Sequence, residues 1–437
     1  MRTSVHGRTR VAVATGVLAA LVAAGCTSRS ADGSTVGAAA STSASSPPMA
    51  QAAPSGQATP SATTTPRPVT TVTTSVADKA TGVAPDRVVT VGVAGAPGRL
   101  AGVSLVSAAG KAVPGSLDGA GQRWTARGRL LPATTYTLTA TTTAGTGASG
   151  SGAAAGAAPV TTRRTFTTLK PKGSLRASIA PLDGSTVGVG MPLIVTFSQP
   201  VTNRAAVEKA LTVTTSKPVT GSWHWYDSRT VHYRPKTYWP AHTTVRLQAD
   251  LAGLDAGGGV WGVKNRDVSY TVGRSVVDRV DLEAHTLKVY VEGELVRTLP
   301  VTGGKSGFAT RSGTKVIMEK FRVKHMDAAT TGIDSTDSEY YQVDAPYAMR
   351  VTNSGEFLHA APWSTGSQGD ANVSHGCVGM SVADARWLFG VNRVGDVVEV
   401  TGSTRKIEPQ NGWSDWNGSW ASWVAGSALT GRTSPTS

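Results

Sequence analysis

The stretch Ser374-His-Gly-Cys-Val-Gly-Met380 contains one of the two cysteines in the chain and runs into the segment SVADARWLF, residues 381–389. Apolar residues recur at helical spacing in that segment, and Ser381 with Asp384 forms a capping-box pattern at its start. Cys377 therefore lies in a glycine-rich turn just before a predicted helix. The helix dipole and free amides at such a position would lower the pKa of a thiol, so the stretch predicts a reactive cysteine.

A nucleophilic thiol needs a general base within hydrogen-bond reach, and two histidines are candidates. His375 is two residues away, whereas His359 lies 18 residues upstream in the segment EFLHAAPW, residues 356–363. Gly376 would let the backbone approach closely and leave amides free for an oxyanion. Two alternatives stay open at this point. The cysteine could be an inert core residue, or Cys377 and the two histidines could hold a catalytic zinc ion.

The N-terminal residues 1–25 have the layout of a secretory signal peptide. Arginines and no acidic residue precede the apolar run Val11–Ala24, which is too short to span a bilayer well. The run ends in Ala23-Ala24-Gly25-Cys26, which resembles the bacterial lipoprotein box, whose cysteine is lipidated. We expect an exported protein held by palmitate-type lipid on Cys26 at the outer face of the cytoplasmic membrane, in the cell wall or periplasmic space.

Composition divides the rest of the chain. Residues 26–79 are rich in Ser, Thr, Ala and Pro and predict a disordered stalk. Two weakly similar segments follow, residues 80–168 and 174–272, which repeat short motifs about 107 residues apart. Their period-2 alternation, as at Tyr136, Leu138 and Ala140, predicts two immunoglobulin-like β-sandwiches.

Charge and cysteine content exclude several classes of protein. The net charge is +14 over 437 residues, without a Lys/Arg block, so we expect compatibility with an anionic surface or polymer and no nucleic acid partner. Two cysteines 351 residues apart exclude a disulfide framework. No cofactor and no metal are expected from the motifs.

Residues 273–401 have a different pattern, and residues 402–437 form a Trp-rich C-terminal subdomain and tail. A β-hairpin is predicted over 287–301, where two alternating runs flank Glu292-Gly293. Four tryptophans of the tail are spaced by 3, 4 and 3 residues, which predicts one buried helical face docked on the preceding domain. They are Trp413, Trp416, Trp420 and Trp423. Three histidines of the second sandwich, His224, His232 and His242, are interpreted as edge and core packing.

His359, followed 15 residues later by Ser374-His-Gly-Cys377, resembles the signature of the bacterial L,D-transpeptidases. The resemblance extends to Thr310–Ile317, to Asn353–His359 and to the helix after the cysteine. The flanking order of lipoprotein signal, stalk and two immunoglobulin-like domains resembles the actinobacterial members. The implied fold is mainly β, with two sandwiches followed by a β-rich catalytic domain that has a short helix after the catalytic cysteine.

The resemblance implies a role for each matching residue. Cys377 would attack the carbonyl of the third residue of a peptidoglycan tetrapeptide, D-alanine would leave, and an acceptor stem would take the acyl group to form a 3→3 cross-link. His359 would be the base, with its other nitrogen held by a nearby carbonyl, that of Ala360. His375 would shape the turn, with an auxiliary role. Carbapenems would acylate the same thiol.

The resemblance also implies a substrate pocket. The insertion 318–347 would form a lid hairpin, and Tyr341 with the amides of Gly376 and Cys377 would hold the oxyanion. The other pocket residues implied are Met326, Ser354, Gly355, Trp363 and Ser374. Gly379 stands where many members have Asn, so a side-chain contact of the family is absent here.

Other functions remain open at the level of sequence. The acyl group could pass to water, as in an L,D-carboxypeptidase, or to a protein amine, which would anchor a protein to peptidoglycan. A lipoprotein that only binds cell wall, with an inert Cys377, is a third possibility. The two sandwiches could be spacers or could bind a ligand. In either case, removal of residues 27–272 should leave the active site chemically competent.

Overall fold

The computed structural model describes residues 70–94, 98–143 and 158–430. The predicted signal sequence, its Cys26 and the predicted stalk up to residue 69 lie outside these residues. The prediction of a disordered stalk is wrong for residues 71–74, which form a strand paired with residues 91–94, because Val72 packs against the apolar core of the first sandwich. The described chain is mainly β, as the sequence predicts, with three short α-helices. Within it, no helix is both long and apolar enough to cross a membrane. The exact domain limits given above stay predictions.

The first sandwich consists of seven strands in two sheets. They are β1 (Thr71–Thr74), β2 (Thr90–Ala94), β3 (Leu100–Ser107), β4 (Gly115–Leu117), β5 (Arg123–Ala126), β6 (Thr135–Thr142) and β7 (Thr161–Thr167). One sheet has the order β1-β2-β5-β4 and the other β3-β6-β7. The inward-facing residues of both sheets form one apolar core around Trp124, Leu138 and Phe166. In β6, buried and partly exposed residues alternate strictly, which is the period of a half-buried strand.

The second sandwich repeats this plan with more elements. Its strands are β8 (Gly173–Leu175), β9 (Ala177–Ala180), β10 (Thr186–Val187), β11 (Leu193–Phe197), β12 (Leu211–Thr215), β13 (Gly221–Trp225), β14 (Thr230–Pro235), β15 (Thr243–Ala249), β16 (Asp255–Gly257), β17 (Val260–Gly262) and β18 (Arg266–Val272), with helix α1 (Arg204–Lys209) after β11. The two main sheets have the orders β10-β18-β15-β12 and β13-β14-β11-β9. The sequence repeat matches β6 with β15 and β4 with β13.

The third region contains a five-stranded and a four-stranded sheet. Its elements are β19 (Val276–Asp281), β20 (Thr286–Val291), β21 (Glu294–Pro300), β22 (Gly313–Val316), β23 (Glu319–Asp327), β24 (Gln342–Arg350), β25 (Phe357–Ala360), β26 (Val378–Met380), α2 (Val382–Val391) and β27 (Val397–Thr401). The sheet orders are β21-β20-β19-β27-β22 and β23-β24-β25-β26. The predicted hairpin is β20–β21. Helix α2 begins after Ser381, whose hydroxyl accepts a 3.0 Å hydrogen bond from the Asp384 amide.

The C-terminal segment differs from the prediction in two ways. Its tryptophans do not share one helix, because a 3₁₀ turn at Asp415–Asn417 and the short helix α3 (Trp420–Ala425) divide them. The tryptophans also pack on the second sandwich instead of on the third region. The guanidinium of Arg234 on β14 lies 4.6 Å from the ring centroid of Trp423 and 4.9 Å from that of Trp416.

Candidate active site

The four-stranded sheet brings His359 and Cys377 to the same place. Strand β25 pairs with β26 in parallel, with His359 opposite Gly379, and Cys377 is the residue just before β26. Both side chains are almost fully buried, at 5% and 7% exposure. They line one cavity of about 250 Å³. Residues 18 apart in the sequence thus line a single cavity.

Most of the predicted pocket residues line this cavity. The lid hairpin β23–β24 contributes Met326, Tyr341 and Val343, and the indole of Trp363, 55% exposed, lies at the cavity's edge. The remaining walls come from the turn before β26 and from two neighbouring segments: Thr302, Ala361, Ser364, Val373, Ser374, His375 and Gly379. Five of these residues were not predicted from the sequence, because no charge or motif distinguishes them from packing residues: Thr302, Val343, Ala361, Ser364 and Val373.

The contacts of His359 define its tautomer. Its Nδ1 lies 2.7 Å from the carbonyl oxygen of Ala360, and because a carbonyl oxygen only accepts, Nδ1 carries the proton. This is the contact that the resemblance implied. The Nε2 atom therefore keeps a lone pair that can accept a proton. Burial lowers the pKa of His359, which favours the neutral imidazole that a general base requires.

The environment of Cys377 is not the one that the sequence predicted. Strand β26 separates the cysteine from helix α2, so the helix N-terminus does not lie at the sulfur. Burial instead raises the pKa of the Cys377 thiol to about 12. The Sγ atom contacts the carbonyl oxygen of Gly355 at 3.7 Å. The thiol is therefore protonated at neutral pH and needs a base to remove its proton.

The turn before Cys377 is closed by Ser374. Its hydroxyl donates to the Cys377 carbonyl at 2.6 Å and accepts from the Gly376 amide at 3.1 Å. The expectation that the Gly376 amide holds an oxyanion is therefore wrong for this structure, because that donor already has a partner. Gly376 adopts a φ of 120°, a conformation that non-glycine residues rarely adopt.

Two other predicted pocket residues need correction. Ser354 does not line the cavity, because its hydroxyl contacts Thr352 and accepts a 2.9 Å hydrogen bond from Asn411 of the C-terminal segment. Gly355 takes part only through its carbonyl, next to the sulfur. At Gly379, a Cβ atom would lie 2.9 Å from that of Ala361, so a larger side chain here requires a shift of its neighbours.

A buried charge cluster under the cysteine turn was missed. The Lys315 ammonium, 1% exposed, lies 2.5 Å from the carboxylate of Glu356, which also accepts two 3.0 Å bonds from Arg311. Burial lowers the pKa of Lys315. The two charges act in opposite directions on the pKa of the Cys377 thiol, which Glu356 raises and Lys315 lowers. A lysine directly before the apolar pair Val316-Ile317 was the available sequence signal.

His375 is placed beside the cysteine but has a partner of its own. Its Nε2 donates to the carboxylate of Glu339 at 2.7 Å, and its ring contacts those of Tyr341 and Phe308. Burial raises the pKa of Tyr341 to about 12, so its hydroxyl remains a proton donor. Within the described residues, no three His, Cys, Asp or Glu side chains are arranged to hold a metal ion.

Comparison with known proteins agrees with this architecture. A model of the bacterial Ig domain matches residues 80–255, and a model of the L,D-transpeptidase catalytic domain matches residues 276–400. L,D-transpeptidase 2 of Mycobacterium tuberculosis is 35% identical to this chain, over 82% of this chain and 85% of its own length. L,D-transpeptidase 5 of the same organism is 34% identical, over 82% and 77%. A solved structure of LD transpeptidase LdtMt1 in complex with imipenem is 38% identical, covers 53% of this chain and all of its own, and has a TM-score of 0.47.

The fold and the buried cysteine–histidine pair define a cysteine acyltransferase. The chain belongs to the L,D-transpeptidase family, with a bacterial Ig region ahead of the catalytic domain. The expectation drawn from the Ser374–Cys377 signature is therefore confirmed at the level of the family and its reaction class.

Proposed function

We propose that this enzyme forms 3→3 cross-links in peptidoglycan and that Cys377 is its nucleophile. The observation that carries the proposal is the shared cavity, in which a buried thiol lies with an imidazole whose free nitrogen is Nε2. His359 takes the thiol proton through Nε2 while sulfur attacks the carbonyl carbon of the third residue of a tetrapeptide stem. The proton then passes to the amine of D-alanine, which leaves, and a thioester remains on Cys377.

The second half of the reaction uses the same groups in reverse. The side-chain amine of an acceptor stem attacks the thioester carbon, His359 removes a proton from that amine, and the thiol is restored. Negative charge on the carbonyl oxygen develops in both halves and needs donors. The Tyr341 hydroxyl on the lid is one such donor, and the Cys377 amide is the other. The Gly376 amide, which donates to Ser374, is left out of this role.

The cavity supports a stem peptide as substrate. It is lined mostly by apolar groups, and Ser374, His375, His359 and Cys377 contribute polar atoms. Trp363 offers an exposed aromatic surface at the edge, where a sugar or a second stem can contact it. Carbapenems would acylate Cys377 through the same steps, because ring opening of the lactam leaves a thioester.

The proposed cellular place is the outer face of the cytoplasmic membrane. The signal-like residues 1–25 and the lipoprotein-type cysteine Cys26 support export and lipid anchoring. The Ser/Thr/Ala/Pro-rich segment that follows would let the folded domains reach into the cell wall. Labelling with a palmitate analogue tests this part directly, with a Cys26→Ala variant as the control that should lose the label.

The reaction itself is tested by mass spectrometry of the purified enzyme with a disaccharide tetrapeptide. A cross-linked dimer with loss of one D-alanine is expected from the wild type. Release of D-alanine without a dimer would assign a carboxypeptidase instead. Cys377→Ala should fold normally and form neither product, and appreciable turnover by that variant would contradict the thiol mechanism. A protein with no adduct and no product would be a cell-wall-binding lipoprotein.

A further inference from the structure

The imidazole of His375 is held from several directions by groups outside the signature. Its Nε2 donates to Oε2 of Glu339 at 2.7 Å, and the same oxygen accepts from the Lys305 ammonium at 2.5 Å. The rings of Phe308 and Tyr341 lie 4.7 and 4.8 Å from the imidazole, measured between centroids. The ring therefore has one defined orientation, in contrast to a histidine on an open turn.

Glu339 belongs to the lid. It lies in the segment between β23 and β24, two residues before the cavity-lining Tyr341, and its amide donates to the carboxylate of Asp337 at 2.9 Å. Lys305 belongs to the other side, because its amide donates to the carbonyl of Ser374 at 2.9 Å. The Glu339 carboxylate therefore links the lid to both the signature turn and the segment packed against that turn.

The chemistry of the contact fixes the protonation of His375. A carboxylate only accepts hydrogen bonds, so Nε2 of His375 carries a proton. Hydrogen bonds, first from Lys305 and then from His375, hold the pKa of Glu339 below its usual value, so it is a carboxylate at neutral pH. The side chains are only 21–36% exposed, which strengthens the charge-assisted bonds relative to those of an open surface pair.

We propose that Glu339 is a positioning residue that acts through His375. By accepting from Nε2, it sets the tautomer and ring direction of His375, and it makes this arrangement dependent on the closed position of the lid. Opening the lid would withdraw the carboxylate, leaving the turn beside Cys377 less ordered. The inference rests on the proposed function, since it concerns the same cavity, but the bond itself exists without turnover.

The test uses the full-length protein with Glu339→Ala, Glu339→Gln and the matched lid control Asp344→Ala. Asp344 pairs with His325 at 2.9 Å on the same hairpin, but both side chains are mostly exposed and lie outside the cavity lining. Three readouts are needed: the rate of acylation by imipenem, the ¹⁵N spectrum of the imidazoles, and hydrogen exchange in residues 328–341.

We expect Glu339→Ala to slow acylation by about 10- to 100-fold, which is the effect on the rate of losing one hydrogen bond to a charged group. Its His375 signal should shift from a single Nε2–H form to a tautomer mixture, and its lid amides should exchange faster. Glu339→Gln keeps an accepting oxygen, so it should keep the tautomer and lose less rate. Asp344→Ala should match the wild type.

Two results would overturn the inference. One is an unchanged His375 spectrum and lid exchange in Glu339→Ala, and the other is an equal loss of rate in Asp344→Ala. A wild type that forms no imipenem adduct would contradict the proposed function instead. In that case the spectrum and the exchange data still decide whether Glu339 orders His375 and the lid.

Discussion

The Nδ1 atom of His359 donates a 2.7 Å hydrogen bond to the carbonyl oxygen of Ala360, the next residue in the same strand. The bond requires no carboxylate, and it leaves Nε2 as the imidazole nitrogen available in the cavity that Cys377 also lines. His375 has the opposite arrangement, because its Nε2 is committed to the Glu339 carboxylate. The two histidines of the site therefore offer different nitrogens, which makes their roles separable by experiment.

Replacing His359 with Ala should lower the rate of carbapenem acylation by roughly 10²–10⁴-fold, the usual contribution of a general base. Because burial lowers the pKa of His359, the neutral base persists at acidic pH. The acid limb of the wild-type profile, where the acylation rate falls as the base is protonated, should therefore lie below pH 6.5. The measurement is the acylation rate against pH for both proteins. Loss of that limb in the variant is the expected signature of the base.

The matched control is His375→Ala, which should keep the acid limb while slowing acylation through the turn geometry. If His359→Ala retains the wild-type pH profile and His375→Ala loses its ionisation step, the assignment is reversed. Circular dichroism of both variants is compared with that of the wild type to show that the fold is retained.

Glu356→Gln should destabilise the catalytic region by about 3–5 kcal/mol, because it leaves the buried Lys315 ammonium without its carboxylate. The double variant Lys315→Met/Glu356→Gln removes both charges and should recover part of this loss. Urea unfolding of the single and double variants measures the coupling. Asp267→Asn, which breaks the half-exposed pair with Arg246, is the control and should change stability little. Strictly additive losses at Lys315 and Glu356 would contradict a coupled pair.

Local patterns predicted the strands and the helix well, because backbone geometry sets which face a side chain takes. The alternation in β6 and β15 and the capping serine at 381 are set by their immediate neighbours in sequence. The tryptophan tail was predicted wrongly because a local pattern does not reveal contacts with distant parts of the chain. Its spacing fits one helix, but Arg234 in the second sandwich binds the rings from two separate turns, and that contact is tertiary.

The residues of the active site could be predicted from the sequence only where their residue type and motif indicate chemistry. Cys377 and His359 were identifiable because a thiol and an imidazole in a family signature carry chemistry by residue type. Glu339 and Glu356 were not, because their partners lie 36 and 41 residues away along the chain. Only the folded sheet reveals that a lid carboxylate reaches His375. The pKa of Cys377 was predicted in the wrong direction, since burial depends on packing that the turn sequence does not reveal.

Asp278 makes stability depend on pH. It is fully buried, and desolvation raises its pKa to about 8, so the folded protein holds a proton that the unfolded chain releases near pH 4. Its contribution to the stability of the fold is fully present below about pH 4 and is lost as pH rises through about 8. The side chain of the Asp278→Asn variant does not titrate. Between pH 5 and pH 8.5 its melting temperature should therefore fall by a few degrees less than that of the wild type. Parallel pH curves for the two proteins would contradict this origin, and Asp396, with a pKa of about 7, would then be examined as its source.

The structure changes the expectation that both sandwiches are dispensable. The second sandwich shares a core with the catalytic region, since Val397 of β27 packs in its apolar cluster. Two backbone hydrogen bonds join the regions: the Gly188 amide donates to the Val394 carbonyl at 2.9 Å, and the Gly190 amide donates to the Gly395 carbonyl at 2.8 Å. By contrast, the contact of the first sandwich with the second is more peripheral and includes the pair Arg129–Asp250.

Removal of residues 1–172 should therefore leave acylation by a carbapenem within about 3-fold of the wild type, because the cavity and its supports remain. Removal of residues 1–272 should expose Val397 and the tail tryptophans that pack on the second sandwich, which costs stability and invites aggregation. Calorimetry and titration with a carbapenem on both truncations separate the effects. A 273–437 protein that melts at the wild-type temperature and is acylated at the wild-type rate would show that the second sandwich is a spacer after all.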